Sequence, residues 1–326
     1  DNTFKDLPRL ERLEIHVCDL DDTTIDFFQR FYNLEYLSIF KSQNISHFTD
    51  MPRLKVLWLH DLDFLRLDLS MFPSLYLLSL EKSYSDRISN EYLGDLKHSH
   101  LKALNLENWR LPHFDTRVLS GFTALQILRI ENSKIESIGF SGNLSNLQSL
   151  ALNWTNLKTL DSTISKLKRL KVLDLSGNCH LKSAPYMFIG LDSLGCLDLS
   201  GCTGLGEIYM DLFSGLHNLL ELDMSYCELT QIYSGAFSHT TQLSKLNLYH
   251  NKLKLENIDV FCQLTQLKKL DLSNNQLENS TIEQGLFSNL VSLEVLDLQN
   301  NLIDDIDNKI ESNMFEILEK LFEVNI

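Results

Sequence analysis

Hydrophobic positions recur along this chain in the order L-x-x-L-x-L-x-x-N/C-x-L. The pattern is clearest at Leu267, Leu270, Leu272, Asn275 and Leu277, and it repeats at Leu243 to Leu253, Leu293 to Ile303 and Leu219 to Leu229. First positions continue backwards through Leu194, Leu170, Leu147, Leu125, Leu101, Leu75, Leu54, Leu34 and Leu10. That makes thirteen repeats with a period of about 24 residues, and a fourteenth begins at Leu318. Within L-x-x-L-x-L the second and third leucines alternate with polar residues, which is strand periodicity, so these leucines point inward and the residues between them point out. One repeat cannot bury its own leucines. Ordering it costs about 1.5 kcal/mol per residue, and about seven apolar side chains return about 1.5–3 kcal/mol each. The deficit closes when neighbours stack. The pattern therefore predicts an α/β solenoid, a horseshoe with a parallel sheet on the concave side and short helical or irregular segments on the convex side. All of 1–326 is expected to form a single repeat domain.

The second half of each repeat carries F-x-x-L, at Phe188, Phe213, Phe261 and Phe287, with Phe28 and Phe237 in equivalent places. This spacing suits one helical turn. The Asn/Cys position turns the chain into the core, where its side chain serves buried backbone groups. Asn178, Asn251, Asn275, Asn301, Cys18, Cys202 and Cys227 fit it. Six repeats instead hold Ser42, Leu62, Ser83, Trp109, Ser133 and Thr155. Hydroxyls substitute in part, whereas Leu62 cannot and Trp109 is expected to be too large. The N-terminal half is thus expected to be less regular.

These repeats resemble the leucine-rich-repeat superfamily over the full length. The stretches Glu207 to Asn251 and Phe287 to Ile303 resemble the animal extracellular repeats of Toll-type receptors, Slit-like proteins and related secreted proteins. The resemblance implies an extracellular or cell-surface recognition domain for a protein or pathogen-derived ligand, in innate immunity or development, with dimerisation on that ligand. It also implies cysteine-rich caps. None is seen here, which points to a piece of a longer ectodomain. The phrases LSGNCHLKSAP and LSGCTGL resemble plant intracellular immune-receptor repeats, so an intracellular scaffold or immune-receptor domain is the alternative.

Charge and composition narrow the partners. With 29 Lys and Arg against 44 Asp and Glu the net charge is −15, which argues against a nucleic-acid binder and a polybasic membrane-surface protein. With 44% hydrophobic and 22% charged residues the chain is globular. It has no apolar run long enough to span a bilayer and no signal-peptide pattern at its start; a membrane link would come through a segment outside this chain. Four N-x-S/T sequons, at Asn44, Asn143, Asn153 and Asn279, support secretion as expected glycosylation sites. A glycan on Asn153 would block the sheet face beside it.

Candidate chemistry is sparse. There is no nucleophile elbow, P-loop, H-E-x-x-H or G-x-G-x-x-G, and no cofactor or metal is expected. His98 and His100 read as a solvated loop, and the acidic runs at Asp19 to Asp22 and Asp304 to Asp307 as solvated turns. The expected binding residues are those the register places on the concave face: Tyr36, Phe40, Trp58, His60 and Glu81 in the N-terminal half, and Trp154, Tyr226, Tyr249 and His250 farther on. Interface hot spots favour such aromatics. A row of Asp174, Asp198, Asp223, Asp271 and Asp297, interrupted by Asn247, offers a negative stripe that would steer a basic ligand.

Overall fold

A computed structural model describes residues 7, 9–16, 28, 31–40, 48–61, 67–81, 97–98, 100–110, 112–141, 144–283, 285–303, 318 and 320–326. The chain divides into two compact units, Asp1–Ala151 and Leu152–Ile326. Cys18, Ser42, Leu62, Ser83, Asn44, Asn143 and both acidic runs lie outside the described residues.

Both units are leucine-rich-repeat solenoids built on parallel sheet, one strand per repeat. In the first unit the strands are Arg12–His16, Tyr36–Phe40, Val56–His60, Leu77–Glu81, Ala103–Glu107, Ile127–Glu131 and Ser149–Ala151. In the second they are Val172–Asp174, Cys196–Asp198, Glu221–Asp223, Lys245–Asn247, Lys269–Asp271, Val295–Asp297 and Glu323–Asn325. Register pairs like residue with like, as in Leu57 with Leu78 and Leu197 with Leu222. The consensus leucines are buried from Leu34 to Leu298, so the core is a column of leucines behind the sheet, and Leu10, Leu13 and Leu321 at its ends are half-buried. Glu323–Asn325 pairs with Val295–Asp297, Val324 opposite Leu296, so the fourteenth repeat has Leu321 in its first position, and the expected Leu318 instead matches Leu290 in the turn before the strand.

Behind the leucines of the second unit runs a phenylalanine spine. Phe188, Phe213, Phe237 and Phe261 are buried and stack in series, with ring centroids 6.2, 5.9 and 6.1 Å apart. The expected helical turns there are single i to i+3 turns, such as Leu264 N–H to Phe261 O at 2.9 Å. A short α-helix spans Asn279–Glu283.

The asparagines do what their position demands. Asn178 is fully buried; its Oδ1 accepts from the N–H groups of Thr155 (3.2 Å) and Leu157 (2.8 Å), and its Nδ2 donates to Leu152 O and Leu175 O. Asn251, Asn275 and Asn301 repeat the arrangement. The Cys202 and Cys227 thiols donate to the matching carbonyls of Leu175 and Leu199, and burial pushes both thiols up, Cys227 to about 12. Both cysteines are free, as is exposed Cys179.

Two expectations need correction. Trp109 is not too large for the asparagine position. It is buried, and its indole N–H donates to Leu80 O at 2.9 Å, the carbonyl that an asparagine amide would take. Its own N–H is received by Ser133 Oγ at 2.9 Å. The segment at His98 and His100 is a loop as expected, but His98 is not solvated: its ring is buried and Nε2–H donates to Phe72 O at 2.8 Å, while His100 is exposed.

The first six strands of the sheet are longer, five residues against three from Ser149–Ala151 onward. In the second unit the aspartate that ends five of the seven strands turns back on its own chain. Asp174 Oδ1 accepts from the N–H and hydroxyl of Ser176, and Asp223 and Asp271 do the same with Ser225 and Ser273. That local turn removes an N–H from the ladder. The five-residue strands have Ser38, Trp58, Ser79, Asn105 and Arg129 in the aspartate row and run on, whereas Ser149–Ala151, with Ala151 there, is as short as the strands of the second unit.

Candidate functional site

The solvent face of the sheet carries the expected residues, in rows set by the parallel register. Parallel strands lie about 4.8 Å apart, so rings in one row meet at stacking distance. In the first unit Phe40 and His60 share a row, with centroids 4.1 Å apart and planes within 8°. His16 stacks on the other face of Phe40 at 4.4 Å, an addition that the repeat pattern predicts by register alone. The row continues into Glu81, whose carboxylate accepts from His60 Nδ1 and from Asn108 Nδ2 at 3.1 Å. In the adjoining rows Trp58 lies 6.1 Å from Tyr36, and the Arg12 guanidinium sits 3.8 Å over the Tyr36 ring. Tyr36, Phe40, Trp58, His60 and Glu81 are therefore brought together into one half-buried patch. Ser38 Oγ, Trp58 Nε1 and His60 Nε2 have no hydrogen-bond partner among the described residues.

In the second unit Tyr226, Tyr249 and His250 form a second cluster: Tyr226 lies 5.1 Å from Tyr249 and 4.7 Å from His250. Trp154 stands apart from it, 63% exposed. Three of these residues share a backbone feature that the periodicity did not reveal. The residue just before each Asn/Cys position is left-handed, as at Gly177 (φ 71°), Gly201 (φ 72°), Asn274 (φ 56°) and Asn300 (φ 57°). Trp154 (φ 57°), Tyr226 (φ 56°) and His250 (φ 53°) occupy the same step. Gly and Asn accept this conformation readily; a bulky side chain there costs about 1–2 kcal/mol. The step is held by a regular ladder, for example Trp154 N–H to Ser176 O and Gly177 N–H to Ser200 O. The available signal was the G-N, G-C and N-N pairs at Gly177, Gly201, Asn274 and Asn300.

An open groove of about 510 Å³ covers the sheet from Cys196 to Asn325. It holds Asp198, Asp223, Asp271 and Asp297 along with Lys245 and Lys269, and Lys245 is paired with Glu221. Burial raises the Asp198 carboxyl above the usual aspartate range, and the flanking Asp174 and Asp223 add to the rise. Of the described sequons, Asn153 is half-buried beside Trp154, and Asn279 is the first residue of its short helix.

The chain belongs to the leucine-rich-repeat family, whose profile matches residues 145–205, 201–253, 229–277 and 265–326. It is similar to lumican of Coturnix japonica, 33% identical over 138 residues, which is 41% of this chain and 39% of lumican. It is also similar to Toll-like receptor 4 of Bos taurus, 30% identical over 185 residues, which is 53% of this chain and 21% of the receptor. The matches thus span less than half the length of either relative. A chain of the Drosophila Toll–Spatzle complex superposes with a TM-score of 0.73 over 97% of this chain and 47% of that one. At 22% identity that likeness speaks for the fold alone.

Proposed function

We propose that this chain is an extracellular recognition domain of the Toll-like-receptor kind, or of a related secreted protein, that binds a protein or pathogen-derived ligand with the solvent face of its sheet. It works by binding and not by catalysis, with all of 1–326 acting as one domain and ligand binding leading to dimerisation. The observation that carries the reading is the crowding of that face with rings, His16, Phe40, His60, Tyr36 and Trp58 in the first unit and Tyr226, Tyr249 and His250 in the second. A sheet face serving only the fold needs no such cover, and aromatic residues dominate binding hot spots. The relationship to Toll-like receptor 4 supports the same role. Asn44, Asn143, Asn153 and Asn279 are then glycan acceptors, and a glycan on Asn153 would cover the Trp154 end of the face.

The test is the intact mass of the chain made in a secretory host, before and after enzymatic removal of N-glycans. A mass drop supports the extracellular reading. An unchanged mass overturns it in favour of an intracellular scaffold.

A further inference from the structure

Outside the large sheet, Glu207–Ile208 pairs with Gln231–Ile232 in a separate two-stranded parallel sheet. A tyrosine follows each short strand, and Tyr209 and Tyr233 stack with ring centroids 4.8 Å apart and planes within 14°. Both hydroxyls donate to Glu207 Oε2, at 2.6 and 3.2 Å, so one carboxylate fixes both rings. The preceding repeat has no ring in this row. Tyr209 and Tyr233 stand four residues before the spine rings Phe213 and Phe237, and the same step before Phe188 is Ala184. Tyr186 N–H donates to Asp211 O at 3.0 Å, each two residues before its phenylalanine, which holds the two repeats in that register. One face of Tyr209 therefore lies against Tyr233, and the other looks over an alanine.

That missing ring leaves a cavity of about 230 Å³, lined by Ser183, Ala184, Pro185, Tyr209, Asp211 and Leu212. Neighbouring parallel strands lie about 4.8 Å apart, so one flat group seated over Ala184 meets the free face of Tyr209 at stacking distance. The wall of the cavity carries one charge. The Asp211 carboxylate has no hydrogen bond and no ion pair among the described residues, and no lysine or arginine lines the space. Charge complementarity calls for a cation, the tyrosine face for a plane, and the carboxylate for N–H donors. A guanidinium has all three; an ammonium lacks the plane. The same contact exists within this chain, where the Arg12 guanidinium lies 3.8 Å over the Tyr36 ring. Beside the cavity Tyr186, Ile189 and Met210 are exposed, and contiguous apolar surface of this kind marks contact sites.

We propose that Tyr209, Ala184 and Asp211 form a notch for an arginine side chain of a partner protein. The guanidinium continues the stack of Tyr233 and Tyr209, and the Asp211 carboxylate accepts its N–H groups. The inference goes beyond the recognition reading, because it places a contact outside the large sheet. It stands or falls without the sheet face and without the glycans.

The probe is a blocked glycine-serine-arginine repeat peptide, titrated into the full chain at low salt, with citrulline-for-arginine and lysine-for-arginine versions as controls. Binding is read by calorimetry and by the NMR shift of the Ala184 methyl group in alanine-labelled chain. The arginine peptide is expected to bind saturably and to move the Ala184 methyl signal. The citrulline peptide is expected to bind about tenfold more weakly, and the lysine peptide to fall between. Tyr209→Leu and Asp211→Asn should each weaken binding about tenfold. Ala184→Tyr supplies the ring that the row lacks and should bring binding below detection. Ala184 is exposed, so the larger side chain leaves the core intact. Asp259 stands at the same step before Phe261, but Asn257 takes the tyrosine position there. Asp259→Asn should therefore bind like the parent chain. Equal binding of the citrulline or the lysine peptide, or no saturable binding of the arginine peptide, would overturn the proposal. So would full affinity in Ala184→Tyr, or the same loss in Asp259→Asn as in Asp211→Asn.

Discussion

Replacing Asn178 with alanine tests the repeat architecture at its most loaded position. The side chain is fully buried and makes hydrogen bonds at both ends of its amide. Its loss is uneven. Leu152 O would keep the Thr155 hydroxyl at 2.8 Å, and Leu175 O would keep the Cys202 thiol at 3.2 Å. The N–H groups of Thr155 and Leu157 would keep nothing, since Asn178 Oδ1 receives both. Each orphaned buried donor costs about 1–3 kcal/mol, and the weakened carbonyl contacts and small cavity add to that. The expected total is about 3–5 kcal/mol, near the upper end for a single substitution. Asn178→Cys should cost less, because a thiol at this position can reach the carbonyl of the preceding repeat, as Cys202 and Cys227 do. The assay is urea unfolding followed by circular dichroism and by the fluorescence of Trp154, one residue from Thr155. An Asn178→Ala loss below about 1 kcal/mol, or a cysteine variant no better than alanine, would refute the reasoning.

Four further outcomes follow from the same structure. Phe213→Ala, in the middle of the stacked spine and fully buried, should lower unfolding stability by about 3–5 kcal/mol by denaturant titration. Trp109→Phe keeps most of the ring but removes the N–H to Leu80 O, and should cost about 1–3 kcal/mol in the same assay. Asp198 titrates above the ordinary aspartate value of 3.8, so the fold favours its protonated form, and the stability it adds is lost as pH rises through that raised value. Asp198→Asn should therefore melt at or above the parent temperature at pH 7, with the gap shrinking as pH falls toward 3.8, in calorimetric scans across pH. Gly177→Ala places a methyl against the Trp154 indole at a backbone φ of 71°, and should both destabilise the chain and raise acrylamide access to Trp154.

Much of this fold was legible because the burial pattern is one-dimensional. Leucine spacing located the strands, since each stack position buries the same residue type in every repeat, and the Asn/Cys position announced its hydrogen bonds. Aromatic residues on the face could be named from register. What escaped were effects that depend on geometry within one repeat. Trp109 looked oversized because volume was weighed and its N–H was not. The aspartate row looked like a charge stripe, whereas each carboxylate also caps a turn at the end of its strand. The left-handed step was written only in the Gly and Asn that fill most of its positions. Trp154, Tyr226 and His250 conceal it by breaking that rule. Residues that violate a local preference while staying exposed are where function is expected to show.

On the proposed function, the rings in the left-handed row serve a partner and not the fold. It is tested most directly by the denaturant stability of Trp154→Gly, which gives this position the residue found at Gly177 and Gly201. Relief of the left-handed strain and loss of a largely exposed indole oppose the added freedom of glycine in the unfolded chain. The account predicts a stability within about 1 kcal/mol of the parent. A loss of more than about 2 kcal/mol would mean that the indole is holding the structure together, and would contradict it.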